Sequence, residues 1–266
     1  MNSKPHKHKA ALITGASEGI GYELAGIMAA DGWDLILTAR REEILQDLAK
    51  DLREKHGIEV FVIPCDLSKP DATDDLFRKV HEFKPCVNAL INNAGFGMIG
   101  YFKDADSDRI NEMLNLNIIS LVSLTRLFIP EMTRKGMGWI MNVGSVAGFV
   151  PAPYFATYSA SKAFVNNFSD ALACELDGTG ITVTCLAPGP TRTGFGRVAG
   201  YKKAKREQPG ALDAYPVAKL GYDGMLQGKR MVITGGFNQG LVRIIKLLPR
   251  QTVVNLTGSV MKKRIP

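Results

Sequence analysis

Short apolar runs alternate with longer segments of helical periodicity along most of the chain. The runs 10–14, 33–39, 58–63, 87–91, 139–143, 181–187 and 231–234 are apolar at successive positions, as in 33-WDLILTA-39 and 181-ITVTCLA-187. A strand with one wet face would alternate apolar with polar residues, so these runs suit strands covered on both faces. Between them, apolar residues recur at three- and four-residue spacing across 19–30, 42–55, 71–82, 107–135, 155–177 and 213–227, which predicts helices there. Strand and helix in regular alternation imply βαβ units. The pattern therefore predicts one α/β domain, a doubly wound parallel sheet of seven strands with helices on both faces. Nothing reads as a linker or an internal repeat, and no apolar stretch is seen to approach the ~18 residues of a membrane-spanning helix.

The first strand runs into 14-TGASEGIG-21, which opens the first helix. In this position Gly15, Gly19 and Gly21 let backbone approach a pyrophosphate, and the helix N-terminus attracts its charge. That makes the segment, with Ser17, Glu18 and Ile20, the entry to a dinucleotide site with the Rossmann arrangement. A tight packing turn is the plainer alternative, though it does not need three glycines. An NAD site would place a carboxylate at the end of the second strand to bind the ribose hydroxyls. Here that position reads 38-TARRE-42, while Asp34 lies at the strand's far end. Arg40 and Arg41 stand where a 2′-phosphate would be gripped, so NADP is the favoured cofactor. Glu18 argues mildly the other way by adding negative charge. Asp66, in 64-PCDLS-68, either accepts from the adenine amino group or caps a helix, and Leu67 follows it.

In 154-YFATYSASKAF-164 a tyrosine precedes a lysine by four residues amid small side chains. Tyr158 and Lys162 therefore share a helix face. Lowering a phenol's pKa of ~10 by about three units takes roughly 4 kcal/mol, which an ammonium at ~4 Å in an effective dielectric of ~20 supplies. The pair reads as a tuned proton donor, although by itself such a pair is more often a solvated helix face. Ser145, in 142-NVGSVAG-148, lies just past the fifth strand, and 92-NNAG-95 lies just past the fourth. Both fall at the sheet edge where open parallel sheets bind ligands. Ser145 can donate to a substrate carbonyl there, or be a plain turn serine. Asn93, Ala94 and Gly95 border the cofactor. Asn117 sits mid-helix, where asparagine is unfavourable, and either holds an ordered water or satisfies a neighbouring backbone group.

Taken together, 14-TGASEGIG-21, 92-NNAG-95, Asn117, Ser145, Tyr158/Lys162 and 188-PGPTRT-193 resemble the short-chain dehydrogenase/reductase family across roughly residues 9–235. The likeness is greatest to its NADP-dependent branch of bacterial ketoreductases and ketoacyl or hydroxysteroid reductases. The resemblance implies an NADPH-dependent oxidoreductase interconverting a ketone or aldehyde and an alcohol. It implies catalysis by Asn117, Ser145, Tyr158 and Lys162. Tyr158 exchanges the proton, Ser145 positions the carbonyl, Lys162 tunes the phenol and binds the ribose, and Asn117 holds a relay water. It also implies that Pro188, Gly189 and Thr191 seat the nicotinamide, with Thr193 near its carboxamide or the pyrophosphate. Glu18 departs from the basic or neutral residue common in NADP-using members, which leaves the phosphate to Ser17, Arg40 and Arg41. Two alternatives stand beside this reading, a non-catalytic NADP-binding sensor and a lipid-associated ketoacyl or steroid reductase.

Charge and composition refine the ends. The net charge is +7, and residues 1–8 form a basic tail expected to be disordered. Residues 9–237 form the catalytic domain. Within it, 191–228 reads as a mobile lid hinged at Gly194 and Gly196, with Lys202, Lys203, Lys205 and Arg206 either greeting an acidic substrate or simply solvated. Phe96, Met98, Pro151, Tyr154, Phe155 and Phe195, with Ser145, are candidates for the substrate pocket. Residues 238–266 form an amphipathic extension. Its apolar stripe suits, in falling order, a partner subunit, a cover for the cleft, or a membrane surface. The Tyr158 helix has an apolar back, and the family resemblance implies that such helices pair across an interface in a homodimer or homotetramer. Cys65, Cys86, Cys174 and Cys185 are widely spaced and expected as reduced, buried hydrophobes, with no metal site. A cytoplasmic protein with no nucleic-acid partner is expected.

Overall fold

The computed structural model describes residues 9–83, 86–201, 210–245 and 247–265. The basic tail, the 202–206 cations and Lys246 lie outside the described residues. The strands are β1 (Ala10–Thr14), β2 (Asp34–Thr38), β3 (Val60–Val62), β4 (Ala89–Asn92), β5 (Gly138–Val143), β6 (Ile181–Ala187), β7 (Thr191–Arg192), β8 (Leu212–Asp213) and β9 (Met231–Ile233). Seven of them pair in parallel in the order β3-β2-β1-β4-β5-β6-β9, and β7 pairs with β8 separately. The seven strands are those the apolar runs predict. The order reverses between β1 and β4, which opens a crevice beyond the carboxyl ends of the strands.

Helices α1 (Gly19–Ala30), α2 (Glu42–His56) and α8 (Ala214–Leu226) cover one face. The other face carries α3 (Ala72–Phe83), α5 (Ser120–Lys135) and α6 (Ala156–Glu175). Period-two geometry divides β1 between them. Ala11 and Ile13 pack with Leu24, Met28, Val217 and Met225, while Ala10 and Leu12 pack with Leu76, Leu124, Phe128 and Leu172. Residues 214–226, placed within a lid by the sequence reading, are thus a core helix.

The predicted helix 107–135 is broken. It comprises α4 (Ser107–Leu114), a π turn at Asn115–Ile119 and then α5. π turns interrupt α-helices most often at functional positions. Contrary to the sequence expectation, Ser107–Lys135 is long and apolar enough to cross a membrane by length and composition. Its apolar residues have another use, since Leu121, Leu124, Phe128 and Met132 are buried within the domain. The cysteine expectation also needs correction. Cys185 is buried and Cys65 and Cys86 are half-buried, but Cys174 is exposed on the outer side of α6.

A polar clamp joins α1 to α8. Trp33 Nε1 donates to the Tyr222 hydroxyl at 2.9 Å, and that hydroxyl donates to Asp31. Tyr222 is only 3% exposed, and removing its hydroxyl takes an acceptor from the buried Trp33 and a donor from the half-buried Asp31. Tyr222→Phe is expected to cost about 1–3 kcal/mol. At roughly 2–4 °C per kcal/mol, this is a clear fall in Tm by calorimetry. An unshifted Tm would show that the clamp contributes nothing.

Candidate active site

Beyond the strand ends lies a single long cleft of about 1370 Å³. One half is built by the glycine turn. Gly15 and Gly19 have φ of +67° and +62°, and a Cβ on them would come within 2.9 Å of Ala94 Cα and 2.7 Å of Thr193 Cγ2. Only glycine holds this left-handed backbone without strain in so little room. Glu18, at the N-cap of α1, makes no side-chain cap hydrogen bond among the described residues, so the first amides of α1 stay available to an anion. Asn93 braces the turn, its Nδ2 donating to Thr14 O at 2.9 Å and Gly15 O at 3.1 Å. Gly21, expected at the cofactor, is not in the cleft wall. It packs where a Cβ would lie 2.4 Å from Asn93 Nδ2. These features fit a dinucleotide.

Arg40 and Arg41 stand at the far end of this half, with Asp66 and Leu67. Arg41 Nη2 donates to Ser17 Oγ at 3.1 Å and pairs with Glu18 at 3.0 Å. Glu18 therefore acts through Arg41 rather than as an isolated charge. Asp66 Oδ1 accepts from the amide and hydroxyl of Ser68 at 3.1 and 2.7 Å. Burial raises the Asp66 carboxyl pKa, but the two Ser68 bonds and the charges of Arg40 and Lys69 outweigh that and hold it below its ordinary value. Asp34 is spent on Glu59 N at 2.9 Å, at the other end of β2.

The other half brings together Ser145, from the loop after β5, with Tyr158 and Lys162 from α6. Tyr158 and Lys162 are 7% and 5% exposed. Burial pushes the Tyr158 phenol well above its ordinary value, and a hydrogen bond with Ser145 pulls it only partly back. Burial likewise pushes the Lys162 ammonium down, to about 8. Lys162 Nζ donates to Val143 O at 2.7 Å and lies 5.9 Å from the centre of the Tyr158 ring. The expected lowering of the phenol by its lysine is thus overridden by desolvation, which acts against the charged form of both groups.

Ser145 is held from behind. Asn166 Nδ2 donates to Ser145 O at 3.1 Å, and Asn166 Oδ1 accepts from Ser145 N at 3.4 Å. The sequence reading missed Asn166, although it carries the same signal that marked Asn117, an asparagine in mid-helix. Asn117 itself does not line the cleft. Its Nδ2 donates to Phe96 O at 3.0 Å and Ser161 Oγ at 3.1 Å, and its Oδ1 accepts from Phe96 N at 3.1 Å. Both amide protons are used, so the side chain positions the Gly95–Phe96 wall.

Of the pocket candidates, Phe96, Ser145, Phe155 and Phe195 line the cleft, while Met98, Pro151 and Tyr154 do not. The Pro151 carbonyl is turned to Thr257, which donates at 2.7 Å. Tyr154, at φ +64°, sets its ring edge-on to Tyr101, and Met98 packs behind the Phe96–Phe155 cluster. The wall is completed instead by α9 (Gly236–Ile245), α10 (Arg250–Lys262) and the turn between them, through Leu241, Leu248, Val253, Leu256 and Met261. Covering the cleft, the second-ranked use of the extension, is what these helices do here. Gly194, offered as a hinge, packs against Glu18, and Gly196 is buried in the short helix α7 (Phe195–Val198).

Residues 9–203 match the family model for short chain dehydrogenase. This chain belongs to that family. The dehydrogenase is 40% identical to sulfoacetaldehyde reductase 2 of Chromohalobacter salexigens over 186 residues, 69% of this chain and 73% of that protein. It is 31% identical to a 7beta-hydroxysteroid dehydrogenase of Clostridium sardiniense, with 97% of each covered. A solved short-chain dehydrogenase from Sphingobium yanoikuyae in complex with NADPH superposes with a TM-score of 0.81 at 30% identity, covering 90% of this chain and 93% of that one. The enzyme is an oxidoreductase of carbonyl and alcohol groups, and its cofactor is a pyridine nucleotide.

Proposed function

We propose that this dehydrogenase reduces a bulky, apolar ketone or aldehyde with NADPH, using Tyr158 as the proton donor. The observation that carries the reading is the buried Ser145–Tyr158–Lys162 group at the junction of the nucleotide half and the apolar half of one cleft. The nicotinamide, when bound, supplies the hydride. Ser145 donates a hydrogen bond to the carbonyl oxygen and fixes its direction. Tyr158, kept protonated by burial, gives its proton to that oxygen as negative charge builds there. The Lys162 ammonium then stabilises the phenolate left behind, and with a pKa of about 8 it can return a proton near neutral pH.

Support for NADP comes from Arg40 and Arg41 at the end of β2 and from an NADPH-bound relative of the same fold. Arg41 is partly engaged by Glu18, so Arg40 is the residue best able to hold a 2′-phosphate. Arg40→Ala is expected to weaken NADPH binding by about 1–3 kcal/mol and to leave NADH binding unchanged, measured by titration calorimetry. Equal losses for both nucleotides would remove the phosphate contact. Support for an apolar substrate comes from the wall formed by Phe155, Phe195, Leu248 and Leu256.

The reading is tested by following NADPH oxidation with a panel of bulky ketones, α-diketones, β-ketoesters and short aldehydes. Turnover is expected to be fastest with the bulky apolar members. Tight NADPH binding with no turnover on any of them would contradict it.

A further inference from the structure

The apolar residues of α9 and α10 do more than wall the cleft. Phe237 is 82% exposed, and Leu241, Ile244, Leu256 and Val260 are 41–57% exposed, although all five border the same opening. Leu247, in the turn between the helices, is 86% exposed. The mouth of the cleft is therefore ringed by contiguous apolar surface, far from what a water-facing rim needs. Arg243, Arg250 and Lys262, on the same two helices, and Lys263 just past α10 are also exposed. From 236 to 266 the sequence holds six basic residues and no acidic one.

We infer that this face docks on an anionic lipid surface, with the cleft mouth opening into it. An amphipathic element with an apolar edge flanked by Lys and Arg partitions into the headgroup boundary of such a surface. A second copy of the chain fits less well. Self-pairing through this face would set Arg243, Arg250, Lys262 and Lys263 against their own copies, with no carboxylate in residues 236–266 of either chain to offset them. The lipid surface satisfies both features together, burying the apolar ring and neutralising the cations. It also places the opening where an apolar ligand is most concentrated. The inference concerns the outer surface alone and stands whether or not carbonyl reduction is the reaction.

The test is sedimentation of the full chain with vesicles of phosphatidylcholine, with and without phosphatidylglycerol, at low and high salt. Light scattering follows the oligomeric state in parallel. The protein is expected to pellet with the anionic vesicles and to be displaced about tenfold or more by high salt. The double variant Arg243→Glu/Leu247→Glu, at two exposed positions outside the cleft lining, is expected to lose vesicle binding to a similar degree with an unchanged Tm. Three results would overturn the inference: a protein left in the supernatant with anionic vesicles, binding that is equal on neutral vesicles at any salt, or a variant that splits an oligomer while vesicle binding persists. The last would assign the face to a second copy.

Discussion

Tyr158→Phe is expected to lower kcat by about 10²–10⁴-fold while NADPH binds as before. The ring is held between Phe155 and Phe195, at centroid distances of 4.4 and 5.2 Å, and a phenylalanine keeps both contacts. What disappears is the one neutral O–H that faces Ser145. Steady-state kinetics with nucleotide titration separates the two effects. A variant that kept more than a tenth of wild-type turnover would show that another group delivers the proton. Unchanged packing with lost chemistry is the signature of a proton donor, since a purely structural tyrosine would lower Tm together with rate.

Lys162→Met is expected to lose turnover to a similar extent, yet to unfold at pH 7 at a temperature no lower than the wild type. The lysine is nearly fully buried and its pKa falls from 10.5 to about 8. The unfolded chain keeps the proton up to its higher pKa, so between about pH 8 and 10.5 it binds more protons than the folded enzyme. Wild-type stability therefore carries a term that rises with pH through this window, worth about 3 kcal/mol in all. Below pH 8 the full cost of the buried charge is present, offset by the bond to Val143 O. Methionine removes the cost but takes the lysine donor from that carbonyl, which returns about 1–3 kcal/mol of the gain. Unfolding of both proteins from pH 7 to 10.5 reads the difference directly. It should grow in favour of the wild type as pH rises, and a flat difference would mean that Lys162 is not desolvated. A lysine kept at this cost is what a proton-handling role requires.

Much of the candidate site was legible before any coordinates. Its residues follow strand ends, and the ends of strands in an open parallel sheet converge on one crevice. Gly15, Asn93 and Ser145 could be placed for this reason alone, and Tyr158 with Lys162 by helical spacing. Less legible were residues whose role depends on what they face. Asn117 and Asn166 present the same local oddity, but one braces Phe96 and the other Ser145. Nothing within a few residues of either tells them apart. Pro151 and Tyr154 lie beside the pocket in sequence, yet one turns to α10 and the other to Tyr101.

The order of elements, the parallel sheet and the glycine-led nucleotide entry follow from periodicities of two and 3.6 residues and from turn chemistry, which are local and can be read along a chain. The protonation of Tyr158 and Lys162 does not follow in that way. Their pairing is local, but Tyr158 is buried in a cluster with chain as distant as Tyr201 and Met261, which reaches it only when folded. The substrate wall is likewise a tertiary product. Residues 236–262 break at Pro249 into two helices that fold back across the opening, and only that return brings their apolar side chains to the cleft. Burial sums contributions from every element that packs nearby, and a one-dimensional pattern holds no record of which elements those are.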